Sequence, residues 1–263
     1  MCCFSGQVEH VGGTQIFARA SLDGRQFIAY QMAYASKDPV AMILPIPVTK
    51  GSGEKAVNFI NLEKYPEFFK YLHSHFPEPV TRMSTVIQGA SDSALATLEV
   101  VQVGSFVASF VPTLADFSRV DPQFRIADQI WDSLPLYHNF GFAVFQLKPG
   151  RMKVHPMAFD FPCAVSHRLF FPTVHIHDGA VHAEAEFDHD LYAQRLNGEN
   201  LSGWRESEGP LKAYNAEPET SSRRRNSLTP QQLAAATHGL IDPDHHLYHY
   251  TIRGKAENRD IWI

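Results

Sequence analysis

The sequence predicts an α+β protein in which antiparallel sheets predominate and a few helices complete the fold. Two observations carry this prediction: strand-like blocks near both ends of the chain, and only short stretches with helical spacing. The chain has 263 residues, of which 44% are hydrophobic. A chain of this size can bury a full core, and we expect one compact domain over residues 1–263.

The first elements are strands. Thr14–Ser21 and Gln26–Ser36 alternate between apolar and polar residues and are separated by Asp23-Gly24, which is typical of a β-hairpin. Ala41–Val48 is a third apolar run. Its two prolines cannot donate to a ladder, so we expect an edge or terminal strand there.

Helices and further strands follow. Leu62–Phe76 has aromatic and leucine side chains at helical spacing, and Asp121–Leu134 begins with an Asp-Pro pair suited to a helix N-terminus. A short helix is predicted at Leu233–Thr237. Strands are predicted over Ala94–Pro112, over a block from Phe140 to about Tyr192, and over His246–Arg253.

The sequence contains a weak internal repeat. Phe27–Pro47 aligns without gaps with Phe142–Pro162, and four positions are identical. This favours two related β halves, residues 1–115 and 116–263, packed together. A polar, charged stretch at about residues 215–232 is predicted to be a mobile surface loop.

Charge and composition exclude several classes of function. The net charge of −5 gives no case for nucleic-acid binding, which needs a concentrated basic face. There is no apolar run of the roughly 18–20 residues that span a bilayer. The first ten residues lack the pattern of a secretory signal, so we expect a cytoplasmic protein without membrane partners. Three cysteines do not make a disulfide framework.

Histidine is the main compositional clue to function. The chain has 14 histidines, and ten of them lie between His155 and His249. Neutral imidazole is the commonest metal ligand and the usual acid–base group near pH 7.

Three of these histidines flank a single turn signal, in the stretch VHIHDGAVHAE from Val174 to Glu184. A two-residue turn at Asp178-Gly179 would place His175 opposite His182 and put His177 on the same face. Three imidazoles on one face predict a transition-metal site for zinc, copper or iron with an open position. Glu184 falls on that face as a ligand or a base, and Asp188 and His189 follow as supporting residues.

Two alternatives to a metal site stay open. The histidines are also compatible with a solvated polar face or with acid–base work without metal, and a three-residue turn would move His182 to the other face. A metal-dependent enzyme acting on a small-molecule substrate is one interpretation, and a non-enzymatic binding or scaffold protein is another. His245, His246 and His249 are further candidate ligands. The oligomeric state is not predicted.

The N-terminus suggests a different enzyme. If Met1 is removed, Cys2 would carry its own α-amino group and could act as both nucleophile and base. The opening Met-Cys, with Arg19 and Asp23 downstream, resembles the choloylglycine hydrolase and penicillin acylase group of N-terminal nucleophile hydrolases. The resemblance implies an amidase with Cys2 as nucleophile and Arg19 and Asp23 beside it. The chain lacks the family's Arg-Asn-x-Asp run and its later asparagine.

A second resemblance covers more of the chain. The Cys2-Cys3 pair, Ile16–Arg19, the strand Ala41–Val48 and the Gly141–Leu147 strand resemble an uncharacterised bacterial family with a cysteine start and a WVLPVP strand. This family has no established activity, so the resemblance implies architecture alone.

Overall fold

The structure is a computed structural model that describes residues 3–76, 101–104, 106–195, 201–212 and 229–263. The strands in these residues are, in chain order, β1 (Cys3–Phe4), β2 (His10–Ala20), β3 (Arg25–Ser36), β4 (Val40–Ile46), β5 (Asn58–Asn61), β6 (Val101–Val103), β7 (Phe106–Val111), β8 (Gly141–Leu147), β9 (Gly150–Lys153), β10 (Met157–Pro162), β11 (Phe170–Phe171), β12 (Glu184–Gln194), β13 (Arg205–Glu206), β14 (Tyr248–Glu257) and β15 (Ile261–Trp262).

Helices are short and few among the described residues. The α-helices are α1 (Phe68–His73), α2 (Asp128–Asp132) and α3 (Pro230–Ala236), and the 3₁₀ helices are Leu114–Arg119, Pro122–Phe124 and Pro135–Asn139. The α+β prediction is therefore confirmed. No helix in the described part of the chain is long and apolar enough to span a membrane.

Two large sheets make up the fold. One has five strands in the order β1-β4-β8-β7-β6, and its neighbours are all antiparallel. The other has the order β13-β14-β12-β2-β3-β10-β5, with β9 beside β3. Its described pairs are antiparallel except β12 and β2. Strands β11 and β15 form a small third sheet.

The two large sheets pack face to face. Phe145 of β8 meets Phe59 of β5 and Phe159 of β10, with ring centroids 5.6 and 6.0 Å apart. Phe145 and Phe159 belong to one continuous apolar core that draws on both sheets, and the partly buried Phe59 packs against it. Because alternate residues of a strand face opposite sides, each sheet has a second face that other elements must cover.

Helical segments cover the outer faces. On the eight-stranded sheet, Phe17 packs against Phe68 of α1, and Tyr192 packs against Phe69, each with ring centroids 5.9 Å apart. On the five-stranded sheet, Phe142 contacts Trp131 of α2 at 5.0 Å. The layers therefore run helix, sheet, sheet, helix.

The repeated segments exchange partners. Phe27 of β3 pairs with Asp160 of β10, and Pro45 of β4 pairs with Phe142 of β8. The ungapped alignment equates Phe27 with Phe142 and Pro45 with Asp160, so it converts one pair into the other. The same holds along both ladders, which means that the two segments share one register as well as a sequence pattern.

The structure confirms the first predicted hairpin and shortens both long helices. Strands β2 and β3 pair from Ala20 and Gln26 outward. The helix predicted over Leu62–Phe76 occupies only Phe68–His73, because Pro66 disfavours helical backbone in the residue before it.

The helix predicted over Asp121–Leu134 is likewise interrupted. Asp121 does cap the Pro122–Phe124 turn, where its carboxylate accepts a hydrogen bond from the Gln123 N–H at 3.0 Å. Arg125 is then extended, and both Phe124 and Ile126 are buried. An unbroken helix would not bury two residues at this spacing on one face.

The C-terminal predictions fare similarly. Most of the loop predicted at about 215–232 lies outside the described residues. Its last part is the start of α3, where Thr229 and Gln232 form a capping box. The predicted short helix and final strand are confirmed as α3 and β14. The strand predicted over Ala94–Pro112 is the β6–β7 hairpin from Val101, and its first part lies outside the described residues.

Candidate functional site

The predicted histidine hairpin does not form. Ile176 makes a parallel bridge with Cys3 of β1, and the Phe4 N–H donates to the Ile176 carbonyl at 3.1 Å. The next strand begins only at Glu184. The prediction that His175 pairs with His182 is therefore wrong, because the segment finds its partner strand at the N-terminus and not in itself.

Side chains near the C-terminus hold this segment in place. The side-chain oxygen Oδ1 of Asn258 accepts the His175 N–H at 2.7 Å. The side-chain nitrogen Nδ2 of Asn258 donates to the backbone carbonyls of His175 and His182 at 3.0 and 2.9 Å. The Asp260 carboxylate accepts the N–H groups of Thr173 and Val174 at 2.8 and 3.1 Å. These bonds replace a strand ladder and fix the backbone that carries His175.

The other predicted site residues lie at the surface. The His182 side chain is 59% exposed, and its Nε2 is 2.9 Å from the Asp178 carboxylate. Glu184 pairs with Lys255 at 2.6 Å. The exposed Asp188 accepts the N–H groups of Gly13 and Thr14 at 2.7 and 3.1 Å. His182 and Glu184 are thus engaged in separate surface pairs.

The imidazole of His189, and not that of His182, lies beside the imidazole of His175. The ring of His175 lies 5.3 Å from that of His177 and 5.2 Å from that of His189, with interplanar angles of 18° and 21°. We call these three side chains the imidazole row. Phe187 contacts His175 at 4.3 Å and Phe4 contacts His177 at 5.7 Å, so aromatic rings line the row.

Sequence reasoning placed His189 only as a supporting residue. The signal that identifies it is strand alternation: Phe187, His189 and Leu191 share one face of β12, and that face is buried. A histidine between two buried apolar residues on a strand face belongs to the interior.

Burial keeps the row neutral. His175 is 6% exposed and His189 is fully buried. Loss of solvation lowers the pKa of His175 to about 2 and that of His177 to about 4, and it lowers the pKa of His189 still further. The row is therefore uncharged at neutral pH, which is the form of imidazole that binds metals.

Two polar atoms of the row have no partner. The Nε2 atoms of His175 and His177 are buried and make no hydrogen bond among the described residues. A buried polar atom without a partner costs about 1–3 kcal/mol, and an ordered water or a bound ion is the usual way in which proteins offset that cost. Across the described ranges, however, no group of three or more His, Cys, Asp and Glu side chains has the arrangement to hold a metal ion.

A second histidine cluster lies on the opposite face of β12. His249 Nε2 is 2.9 Å from the Asp190 carboxylate, and its ring stacks on Tyr192 at 4.8 Å. His73 Nδ1 is 3.0 Å from the Tyr192 hydroxyl. Burial alone would raise the pKa of Asp190, but hydrogen bonds from His249 and Arg253 outweigh it and lower that pKa.

The C-terminal histidines considered as further ligands are therefore engaged elsewhere. His249 pairs with Asp190, His245 with Asp242 at 3.0 Å, and His246 with Glu206 at 3.1 Å.

The residues of the amidase hypothesis have separate structural settings. Cys2 lies outside the described residues, so its role as nucleophile stays a prediction. Arg19 donates to the carbonyls of Leu240 and Gly239, and Asp23 accepts hydrogen bonds within its own turn from Ser21 and Arg25. An intact-mass measurement tests the Cys2 hypothesis, because a retained Met1 excludes a free Cys2 amine.

The other two cysteines, Cys3 and Cys163, are buried. Loss of solvation raises the pKa of the Cys163 thiol, which disfavours the reactive thiolate.

Comparison with known proteins gives a limited result. No protein-family model matches the chain, and no curated protein is significantly similar to it. Among solved structures, the chain resembles baculovirus P35 over 99% of its length and 98% of that chain, at 12% identity and a TM-score of 0.48. P35 in its caspase-8 complex gives 95% coverage of both chains, 10% identity and a TM-score of 0.48. These values are too low to carry an argument about activity.

Proposed function

We propose that the chain binds a transition-metal ion at the imidazole row, with the Nε2 atoms of His175 and His177 as ligands and His189 beside them. The observation that carries the proposal is the pair of buried Nε2 atoms without hydrogen-bond partners. An ion would satisfy both atoms and offset the free energy lost by burying them. This ligand pair differs from the set predicted from the hairpin, because His182 lies at the surface and His189 is the imidazole that neighbours His175.

The surroundings support a preorganised site. Asn258 and Asp260 fix the backbone at Val174 and His175, and β12 fixes His189. Rigid supporting residues keep ligands close to their binding geometry. The aromatic rings of Phe4 and Phe187 restrict solvent around the imidazoles.

Metal binding is tested on the full chain. Protein stripped with a chelator is dialysed separately against zinc(II), cobalt(II) and copper(I), and bound metal is measured per chain. We expect about one ion per chain for at least one of these metals. The His175→Phe/His177→Phe variant should lose that ion, whereas the matched surface variant His182→Ala should keep it.

Two outcomes contradict the proposal: no ion bound by the unaltered protein, or binding that persists in the doubly substituted variant. Circular dichroism checks that the variant is folded. If it does not fold, the single variant His177→Gln serves instead, because His177 is the more accessible of the two ligands.

A further inference from the structure

The imidazole row is closed to solvent. The Nε2 atoms of His175 and His177 are buried, and His175 as a whole is 6% exposed. A molecule or ion can therefore reach these two atoms only if part of the surrounding structure moves. Proteins open locally, and the part that opens first is the one with the lowest free energy of local unfolding.

Two of the walls around the row are strands that are bonded on both sides. Strand β12, which carries His189, is paired with β14 on one side and with β2 on the other. Strand β1, whose Phe4 contacts His177, is paired with β4 on one side and bridged to Ile176 on the other. Phe4 is also only 3% exposed. Moving either wall would break pairing inside a sheet.

The third wall is the segment of residues 173–177, whose outer edge is bonded by side chains and not by a strand ladder. The Asn258 side chain bonds to the N–H and the carbonyl of His175, and the Asp260 carboxylate accepts the N–H of Thr173. A segment held in this way has fewer bonds to lose than a strand within a ladder. It is therefore the wall with the lowest free energy of opening.

Both side chains belong to one short connection at the surface. Residues 258–260 join β14 to β15, and the Arg259 carbonyl in this connection also accepts the Thr173 hydroxyl at 2.7 Å. Arg259 is exposed and Asn258 is partly exposed. Water can therefore replace the bonds to residues 173–177 when the connection moves outward, which lowers the cost of release.

We infer that residues 258–260 are a latch on the imidazole row, and that releasing this latch exposes His175 and His177 while both large sheets stay intact. The latch deepens the proposed function, since controlled access matters for a row that binds something. Its test uses the protein without any ion, so the latch and the metal site can fail independently.

The experiment measures how fast each imidazole becomes accessible. Diethyl pyrocarbonate modifies the ring nitrogen of a neutral histidine that it can reach. The full chain, stripped of metal, is labelled briefly at pH 7, and mass spectrometry gives the rate at each histidine. His167 is exposed and serves as the reference. His249 is buried on the opposite face of β12 and reports on opening of the whole fold.

The unaltered chain should protect the row, with His175 and His177 reacting at least about a hundredfold more slowly than His167. The variant Asn258→Ala should raise the rates at His175 and His177 at least about tenfold, because it removes the latch bonds to His175. The rates at His167 and His249 should not change. The matched control Asn139→Ala, at an exposed asparagine, should change none of the four rates.

Three results overturn the latch. One is protection that Asn258→Ala leaves unchanged, and another is a rate at His249 that rises by the same factor, because the opening would then be global. The third is a row that already reacts as fast as His167 in the unaltered chain. If Asn258→Ala does not fold, Thr173→Val serves instead. It removes the bond to Arg259 at similar side-chain volume and should raise the two rates about threefold under the same criteria.

The metal-binding measurement is separate. Bound metal without a latch effect leaves the proposed function standing and removes the latch. A latch effect without bound metal does the reverse.

Discussion

The imidazole of His175 lies against the imidazole of His189, with ring centroids 5.2 Å apart and an angle of 21° between the planes. The first belongs to the segment held by Asn258, and the second belongs to β12. Two parts of the chain therefore meet through side chains that the protein buries in their neutral form.

This burial predicts a pH dependence of stability. In the unfolded chain a histidine takes up a proton near pH 6.5, whereas folded His175 stays neutral until about pH 2 and His177 until about pH 4. Between these limits the unfolded state binds more protons than the folded state. The stability that the neutral histidines contribute is therefore fully present above pH 6.5, and the free energy of unfolding decreases as the pH falls below it.

Urea unfolding between pH 7 and 4 measures that slope. Replacing one buried histidine, as in His175→Phe, should reduce it by about 1.4 kcal/mol per pH unit. The surface variant His182→Ala should keep the slope of the unaltered chain. An unchanged slope in a cooperatively folding His175→Phe protein would show that His175 is not buried as a neutral group.

Asn258 is predicted to stabilise the segment that carries His175. Asn258→Ala removes three hydrogen bonds to backbone groups of His175 and His182, and we expect a loss of about 1–3 kcal/mol in the free energy of unfolding. Hydrogen exchange should accelerate at the His175 amide. The exposed Asn139 offers the control Asn139→Ala, which should change neither quantity.

Phe145 is predicted to be a main contact between the two sheets. It is fully buried and meets the rings of Phe59, Phe106 and Phe159. Phe145→Ala should lower the free energy of unfolding by about 3–5 kcal/mol, because it leaves a cavity between the layers. Leu136 is 59% exposed, so the control variant Leu136→Ala should lower the free energy of unfolding by less than about 0.5 kcal/mol. Similar losses for the two variants would contradict the layer arrangement.

Asp190 and His249 are predicted to be energetically coupled on the helix side of β12. A double-mutant cycle of Asp190→Ala and His249→Ala should give an interaction energy of about 0.5–3 kcal/mol at pH 7, because the two side chains are hydrogen bonded and largely buried. Pairing Asp190→Ala with Asn139→Ala, at an exposed residue of the Pro135–Asn139 helix, supplies the comparison cycle, which should be additive. If the effects of Asp190→Ala and His249→Ala are simply additive, the two side chains do not interact and the prediction is wrong.

The repeat shows how far a sequence pattern can reach. Four identities between Phe27–Pro47 and Phe142–Pro162 suggested related segments, and the alternation within each predicted strands. That β3 pairs with β10 while β4 pairs with β8, in the register of the alignment, could not be predicted, because pairing between distant segments depends on how the whole chain closes.

The sequence by itself determined the local elements of this protein. Alternation predicted β2 and β3, and Asp121 predicted a cap. The tertiary structure alone decided which histidines meet. Ile176 pairs with Cys3, so the chain around Asp178 does not fold back on itself, His182 stays at the surface, and His189 enters from β12. Turn signals act over a few residues, whereas the partner of an extended segment is selected by contacts from the opposite end of the chain.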